Sequence, residues 1–225
     1  MAKIISTTGA LRQFNKLRNL VSDTMAIDMG SVSTIVYVRG RGVVVDEPSL
    51  VAVNKLDGEA VAFGQEAQQI LGREARDTMV IAPLVDGVVA DFERTQKMLS
   101  YFVREARSSF SHFSRRACMS VLSGVTQVEQ RALLSAAESA HIGRVYMIEE
   151  GLAAAIGAGV STDDQKASAV IDIGGGTTNI AVIAQGSIVT SRAERMGSSD
   201  INAAIIDRLR RFRGLSIGAQ TAEKL

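Results

Sequence analysis

One cysteine, two prolines and no tryptophan in 225 residues set the first limits on this chain. A single thiol, Cys118, excludes an intrachain disulfide framework and a paired-thiol metal site, and its apolar neighbours read as the surroundings of a buried small hydrophobe. With aromatic residues at 4% and a formal net charge of +1, nothing draws the chain as a whole to nucleic acid. The longest apolar stretch, around residues 151–160, is rich in Ala and Gly and falls short of the ~18–20 residues that a membrane-spanning helix requires. What is abundant is glycine, twenty residues of it, set between Val/Ile runs and Ala/Leu segments. That alternation, with 46% hydrophobic and 22% charged residues, is the profile of an α/β globular chain long enough for one large core or two modest ones.

Along the chain, residues 3–22 place Leu11, Phe14, Leu17, Leu20 and Val21 on one side of a helical projection, with Arg12, Lys16 and Arg18 mainly elsewhere, a short basic amphipathic segment. Strands are predicted at 25–27, 33–38, 43–45, 50–54, 117–122 and 144–148, and helices from Gly64 to near Gly72, over 92–107 with Met98, Leu99, Phe102 and Val103 as the apolar face, over 126–140, and from Glu150 to Gly159. Thr126 with Glu129 three residues on has the spacing of a capping box. Residues 161–166 are the most linker-like stretch, and strands follow at 169–173, 179–184 and 187–191.

The same device occurs twice. Met25-Ala26-Ile27-Asp28-Met29-Gly30-Ser31 and Val170-Ile171-Asp172-Ile173-Gly174-Gly175-Gly176-Thr177 each end a hydrophobic strand on an aspartate, then glycine, then a hydroxyl residue. Glycine lets backbone N–H groups approach an anion closely and the hydroxyls add donors, so each turn is a candidate phosphate cradle. An aspartate repels phosphate but can hold a hydrated Mg²⁺ that the phosphates also ligate. A lone Asp-x-Gly is most often an ordinary tight turn, whereas two facing copies form a clamp for a polyphosphate.

These two motifs resemble the phosphate loops of the MreB family of bacterial actin-like proteins. Similar stretches run from about Met25 to the end of the chain: Tyr37-Val38-Arg39-Gly40-Arg41-Gly42-Val43, Asp46-Glu47-Pro48-Ser49, Gly64-Gln65-Glu66-Ala67, Leu71-Gly72-Arg73, Asp86-Gly87-Val88-Val89-Ala90-Asp91-Phe92, Gly124-Val125-Thr126-Gln127-Val128-Glu129, Ala153-Ala154-Ala155-Ile156-Gly157-Ala158-Gly159 and Ile217-Gly218. The resemblance implies an actin-like (ribonuclease H-like) α/β fold of two facing subdomains, the second incomplete. It implies residues 23–38 and 87–150 as a first large subdomain, 39–86 as a small insert, 151–190 as the start of a second large subdomain and 191–225 as the start of its own insert. It implies ATP or GTP with Mg²⁺ as cofactors, Asp28 and Asp172 at the metal, and Gly30, Ser31, Ser33, Thr34, Gly174, Gly175, Gly176, Thr177 and Thr178 around the phosphates. Glu150 matches the family's catalytic position and Thr177 helps place the attacking water. A carboxylate at the start of a helix also has a plainer explanation, its interaction with the helix dipole.

By the same resemblance the chain is a cytoplasmic, nucleotide-dependent filament protein of cell shape or intracellular positioning, assembling with itself or with a full-length homologue. Residues 1–22 either meet the inner membrane surface or pack on the protein itself. Members of the family are longer than these 225 residues and carry an adenosine-binding loop in their C-terminal third, which raises a second reading, a short non-hydrolysing paralogue that co-assembles with or regulates a full-length relative. A sugar-kinase or Hsp70-type member of the superfamily is disfavoured by residues 38–86, which match MreB. Four positions depart from the family: Gly151 and Leu122 where proline is usual, Ser33 where asparagine is usual, and Asn179 where an acidic residue is usual. They imply an ATPase that is slow or inactive while leaving the fold expectation untouched.

Overall fold

The computed structural model describes residues 24–106, 116–160 and 166–225. The amphipathic segment expected over 1–22 and nearly all of the linker expected over 161–166 lie outside them.

Strict alternation of buried and unburied residues makes Thr24–Met29 (β1) and Ser33–Val38 (β2) strands with one core face, and Gly42–Pro48 (β3) completes an antiparallel meander. Arg116–Val121 (β9) and Arg144–Glu149 (β10) join it in parallel, giving a five-stranded sheet in the order β10-β9-β1-β2-β3. Met25, Ile27 and Met29 bury one face of β1 beneath two helices, Phe92–Glu105 (α2) and Gln127–Ser139 (α3), which present Met98, Leu99, Phe102 and Val103, and Leu133, Ala136 and Ala137. Each large side chain so buried stabilises by about 1.5–3 kcal/mol. Both helices begin as expected: the Asp91 carboxylate accepts from Arg94 N at 3.1 Å, and Thr126 and Glu129 form the reciprocal capping box.

Between β3 and α2 lies a small sheet, Ala60–Phe63 (β5), Val51–Asn54 (β4) and Thr78–Ile81 (β6), packed on a helix Gly64–Ile70 (α1). A hairpin of Leu84–Val85 (β7) and Val88–Val89 (β8) follows. Its turn, Asp86-Gly87, has φ of 50° and 74°, the left-handed pair that two-residue hairpins favour.

The helix Glu150–Gly157 (α4) leads to a second, antiparallel sheet of Ser168–Ile173 (β11), Thr178–Ala184 (β12) and Ser187–Glu194 (β13). Gly151 is where α4 meets this sheet: a Cβ there would lie 2.5 Å from that of Ala181. The departure from proline at this position therefore permits close packing of helix on strand. The opposite face of the second sheet is open, with Ile171, Ile173, Ile180 and Val189 exposed. Ser198–Arg213 (α5), a helix absent from the sequence-based expectations, ends at Gly214 (φ 65°) and is followed by Ala219–Ala222 (α6).

The duplication is structural. Met29 pairs with Thr34 and Ile173 with Thr178, and each hairpin closes on the same bond, Gly30 N to Ser33 O at 2.9 Å and Gly174 N to Thr177 O at 2.8 Å.

Candidate functional site

The two hairpin tips and the start of α4 surround a cleft of about 550 Å³. Asp28, Gly30, Ser31 and Ser33 line it from the first sheet, Asp172, Gly174, Gly175, Gly176 and Thr177 from the second, and Glu150 from the helix between them. The tips interlock: a Cβ on Gly175 would fall 2.1 Å from a Val32 methyl, and one on Gly176 3.1 Å from Ser31 Oγ. Glycine is required here because the opposing loop already occupies the space a side chain would take.

Two site residues expected from sequence face elsewhere. Thr34 is fully buried and its Oγ1 bonds to Ser49 Oγ at 2.8 Å, while Thr178 Oγ1 donates to Met196 O at 2.8 Å. They brace the hairpins from behind. Ser49 completes the first brace by donating to Gly30 O at 2.6 Å, and the second tip is held by Ser198 N and Ser199 N, which donate to Gly174 O and Gly175 O at 2.9 Å each. The Asp86-Gly87 turn is a third contributor: Gly87 N donates to Ser31 Oγ at 2.8 Å, and a Cβ on Gly87 would strike Leu122 and crowd Thr177. Cys118, expected to be buried, is half-exposed instead and lines the cleft beside Ser120, because its parity on β9 is that of the open face of the first sheet.

Electrostatically the cleft is one-sided. Asp28, Glu150 and Asp172 line it, and among the described residues no lysine or arginine does. Ser120 Oγ donates to Asp28 Oδ1 at 2.6 Å, and Asn179 Nδ2 donates to Glu150 Oε2 at 2.5 Å. Burial, then the Asp28 charge and more weakly that of Asp172, push Glu150 up to about 7 against the opposing Asn179 hydrogen bond. Burial and Asp28 also raise Asp172. Among the described residues no three ligating side chains converge on one point, so a chelate built from protein groups alone is not offered. Such a site repels a bare polyanion and suits one that arrives with a hydrated divalent cation, for which one or two carboxylates suffice.

The shifted Glu150 has a measurable consequence. An unfolded carboxyl releases its proton near the ordinary value of 4.5, whereas the folded one keeps it to about 7, so between those values the unfolded chain binds fewer protons. Without divalent cation, stability is therefore expected to fall as pH rises through that window, by on the order of 1–2 kcal/mol after allowance for partial solvent screening. Thermal melts of Glu150→Gln should lack this decline. An identical slope in both proteins would contradict the assignment.

A family model described as MreB/Mbl protein matches residues 22–225. The cell shape-determining protein MreB of Pasteurella multocida is 44% identical over 217 residues, covering 94% of this chain and 62% of the relative. Crystal structures of MreB5 of Spiroplasma citri bound to AMPPNP and to ADP each superpose with a TM-score of 0.83 at 33% identity, covering 90% of this chain and 61% of theirs. A MamK double helical filament shares the fold, with a TM-score of 0.73 at 20% identity, 90% of this chain and 63% of that one. The chain thus spans about 62% of the length of the first of these relatives.

Proposed function

The chain belongs to the MreB/Mbl family, and from that premise we propose that its paired hairpins bind a purine nucleoside triphosphate with Mg²⁺ and that binding governs assembly into actin-like filaments concerned with cell shape or positioning. The observation that carries this reading is the pair of Asp-to-glycine hairpins, closed by equivalent bonds and facing one another across an acidic cleft. Support comes from the MreB5 structures, which hold AMPPNP and ADP. To this reading belongs the division inferred from sequence, with 23–38 and 87–150 as the first large subdomain, 39–86 as its small insert, 151–190 as the start of the second large subdomain and 191–225 as the start of its insert.

In this reading the N–H groups of Gly175 and Gly176 and the hydroxyls of Ser31, Ser33 and Thr177 receive the phosphates, Gly30 and Gly174, whose N–H groups close the hairpins, shape the two turns around them, and Asp28 and Asp172 would hold the cation's water shell. When bound, a divalent cation would offset part of the Asp28 and Asp172 charge. Glu150, whose ionisation those charges oppose, would then be held as a carboxylate able to orient a water toward the terminal phosphate. Thr177 is 9% exposed and beside the Asp86-Gly87 turn, and its hydroxyl would help place that water.

The open apolar face formed by Ile171, Ile173, Ile180 and Val189 favours a second element of the function, association with another actin-like chain, since apolar patches of this kind mark interaction surfaces.

Cys118 provides the test. As the chain's one cysteine on the cleft wall, its thiol should react with a disulfide reagent at a rate lowered at least about 5-fold by Mg·ATP or Mg·GTP, and not by either nucleotide with excess chelator. Unchanged labelling under saturating nucleotide would contradict the reading.

A further inference from the structure

Asn179 joins the second sheet to the carboxylate at the head of α4. Its side chain is 2% exposed, Nδ2 donates to Glu150 Oε2 at 2.5 Å, and Oδ1 is buried without a hydrogen-bond partner among the described residues. It stands directly opposite Asp172 in the β11–β12 register, so one residue borders two of the three cleft carboxylates. A buried amide oxygen is costly to leave unpaired, and its retention calls for an explanation. In the orientation seen, Nδ2 donates to Glu150 Oε2, a bond that is strongest when the carboxylate is ionised. An aspartate supplies no donor at neutral pH, and neither does an apolar residue.

We propose that Asn179 is the positioning residue of Glu150, holding its carboxylate against β12 at the edge of the cleft and favouring its charged form. The groups that face Glu150 from the surrounding elements act in the other direction: Asp28 on β1 and Asp172 on β11 both oppose its ionisation. Among the described residues, Tyr37 on β2 and Cys118 on β9 are the other titratable side chains lining the cleft, and no basic side chain lines it. Asn179 is thus the neutral donor that keeps Glu150 ionisable in an acidic cleft. The significance for catalysis rests on the proposed nucleotide binding, but the positioning itself does not.

The test is a carboxyl ¹³C NMR titration of the full chain labelled at glutamate, with the Glu150 signal assigned by its loss in Glu150→Gln. Wild type should titrate near 7. Asn179→Leu, which removes the donor and keeps bulk, should raise the midpoint by at least about half a unit, and Asn179→Asp, which also adds a like charge, by more. Asn179→Gln, which retains an amide, should return it toward wild type. A folded Asn179→Leu with an unchanged midpoint overturns the proposal. If that variant does not fold, the near-isosteric Asn179→Asp decides alone, and its unchanged midpoint overturns the proposal equally. Mg·ATP binding measured in parallel separates the two claims: if wild type fails to bind it while the midpoints shift as stated, the nucleotide reading falls and the positioning role stands.

Discussion

Asp172→Ala is expected to weaken Mg·nucleotide binding on the order of 100-fold, at the upper end of what loss of a group supporting a bound metal costs. Asp172 sits one residue before the end of β11, immediately ahead of the glycine turn, at the place Asp28 holds on β1. Among the described residues the cleft has no lysine or arginine with which to attract phosphate, and in the proposed reading the cation supplies the attraction. In the proposed reading, removing one of the two carboxylates that would hold its water shell weakens the main electrostatic link between protein and ligand. Asp207→Ala serves as the control, since that carboxylate lies on α5, paired with Arg210 and Arg211. It should bind as wild type does. Equal affinity in Asp172→Ala and wild type would remove Asp172 from the site.

Gly197→Ala is expected to cost about 3 kcal/mol of stability and to abolish binding with it. A Cβ on Gly197 would lie 2.5 Å from the carbonyl oxygens of both Gly174 and Gly175. Those oxygens belong to backbone that also accepts from Ser198 N and Ser199 N, so the strain cannot be relieved by rotating a side chain. The second glycine turn would have to part from the start of α5, and the shape of the proposed phosphate cradle would go with it. Gly157→Ala is the matched control: nothing lies within 4 Å of its Cβ, and alanine is the better residue in a helix. Its melting temperature should equal or exceed wild type. A Gly197→Ala protein as stable as Gly157→Ala would show that α5 does not brace the turn.

Much of the fold was legible because its signals are local. The capping box at Thr126 and Glu129, the apolar face of α2 and the repeated Asp-glycine hairpins each lie within a few residues, and all appear where the pattern puts them. Thr34 could have been read better, since it has the parity of Val36 and Val38 on β2 and period-two alternation assigns it to the core with them. Cys118 belongs to the same lesson, as its neighbours Ala117 and Met119 take the buried parity. For α5 the signals were present in Gly214, the arginines of its last turn and the spacing of Ile201, Ile205, Leu209 and Phe212, but none of its residues is buried, so no core face anchors the period.

What sequence could not give was tertiary adjacency. From sequence Asn179 is only a departure from the family, because its separation of 29 positions from Glu150 hides a 2.5 Å contact. Likewise Ser49 closes a brace on Gly30 from 19 residues away, and Gly87 reaches Ser31 across 56.

If the paired hairpins take nucleotide only together with a divalent cation, isothermal titration of ATP into the purified chain should show saturable binding of one nucleotide per chain with Mg²⁺ and none detectable with excess chelator. Binding of equal strength in both, or none in either, would overturn the paired-hairpin reading.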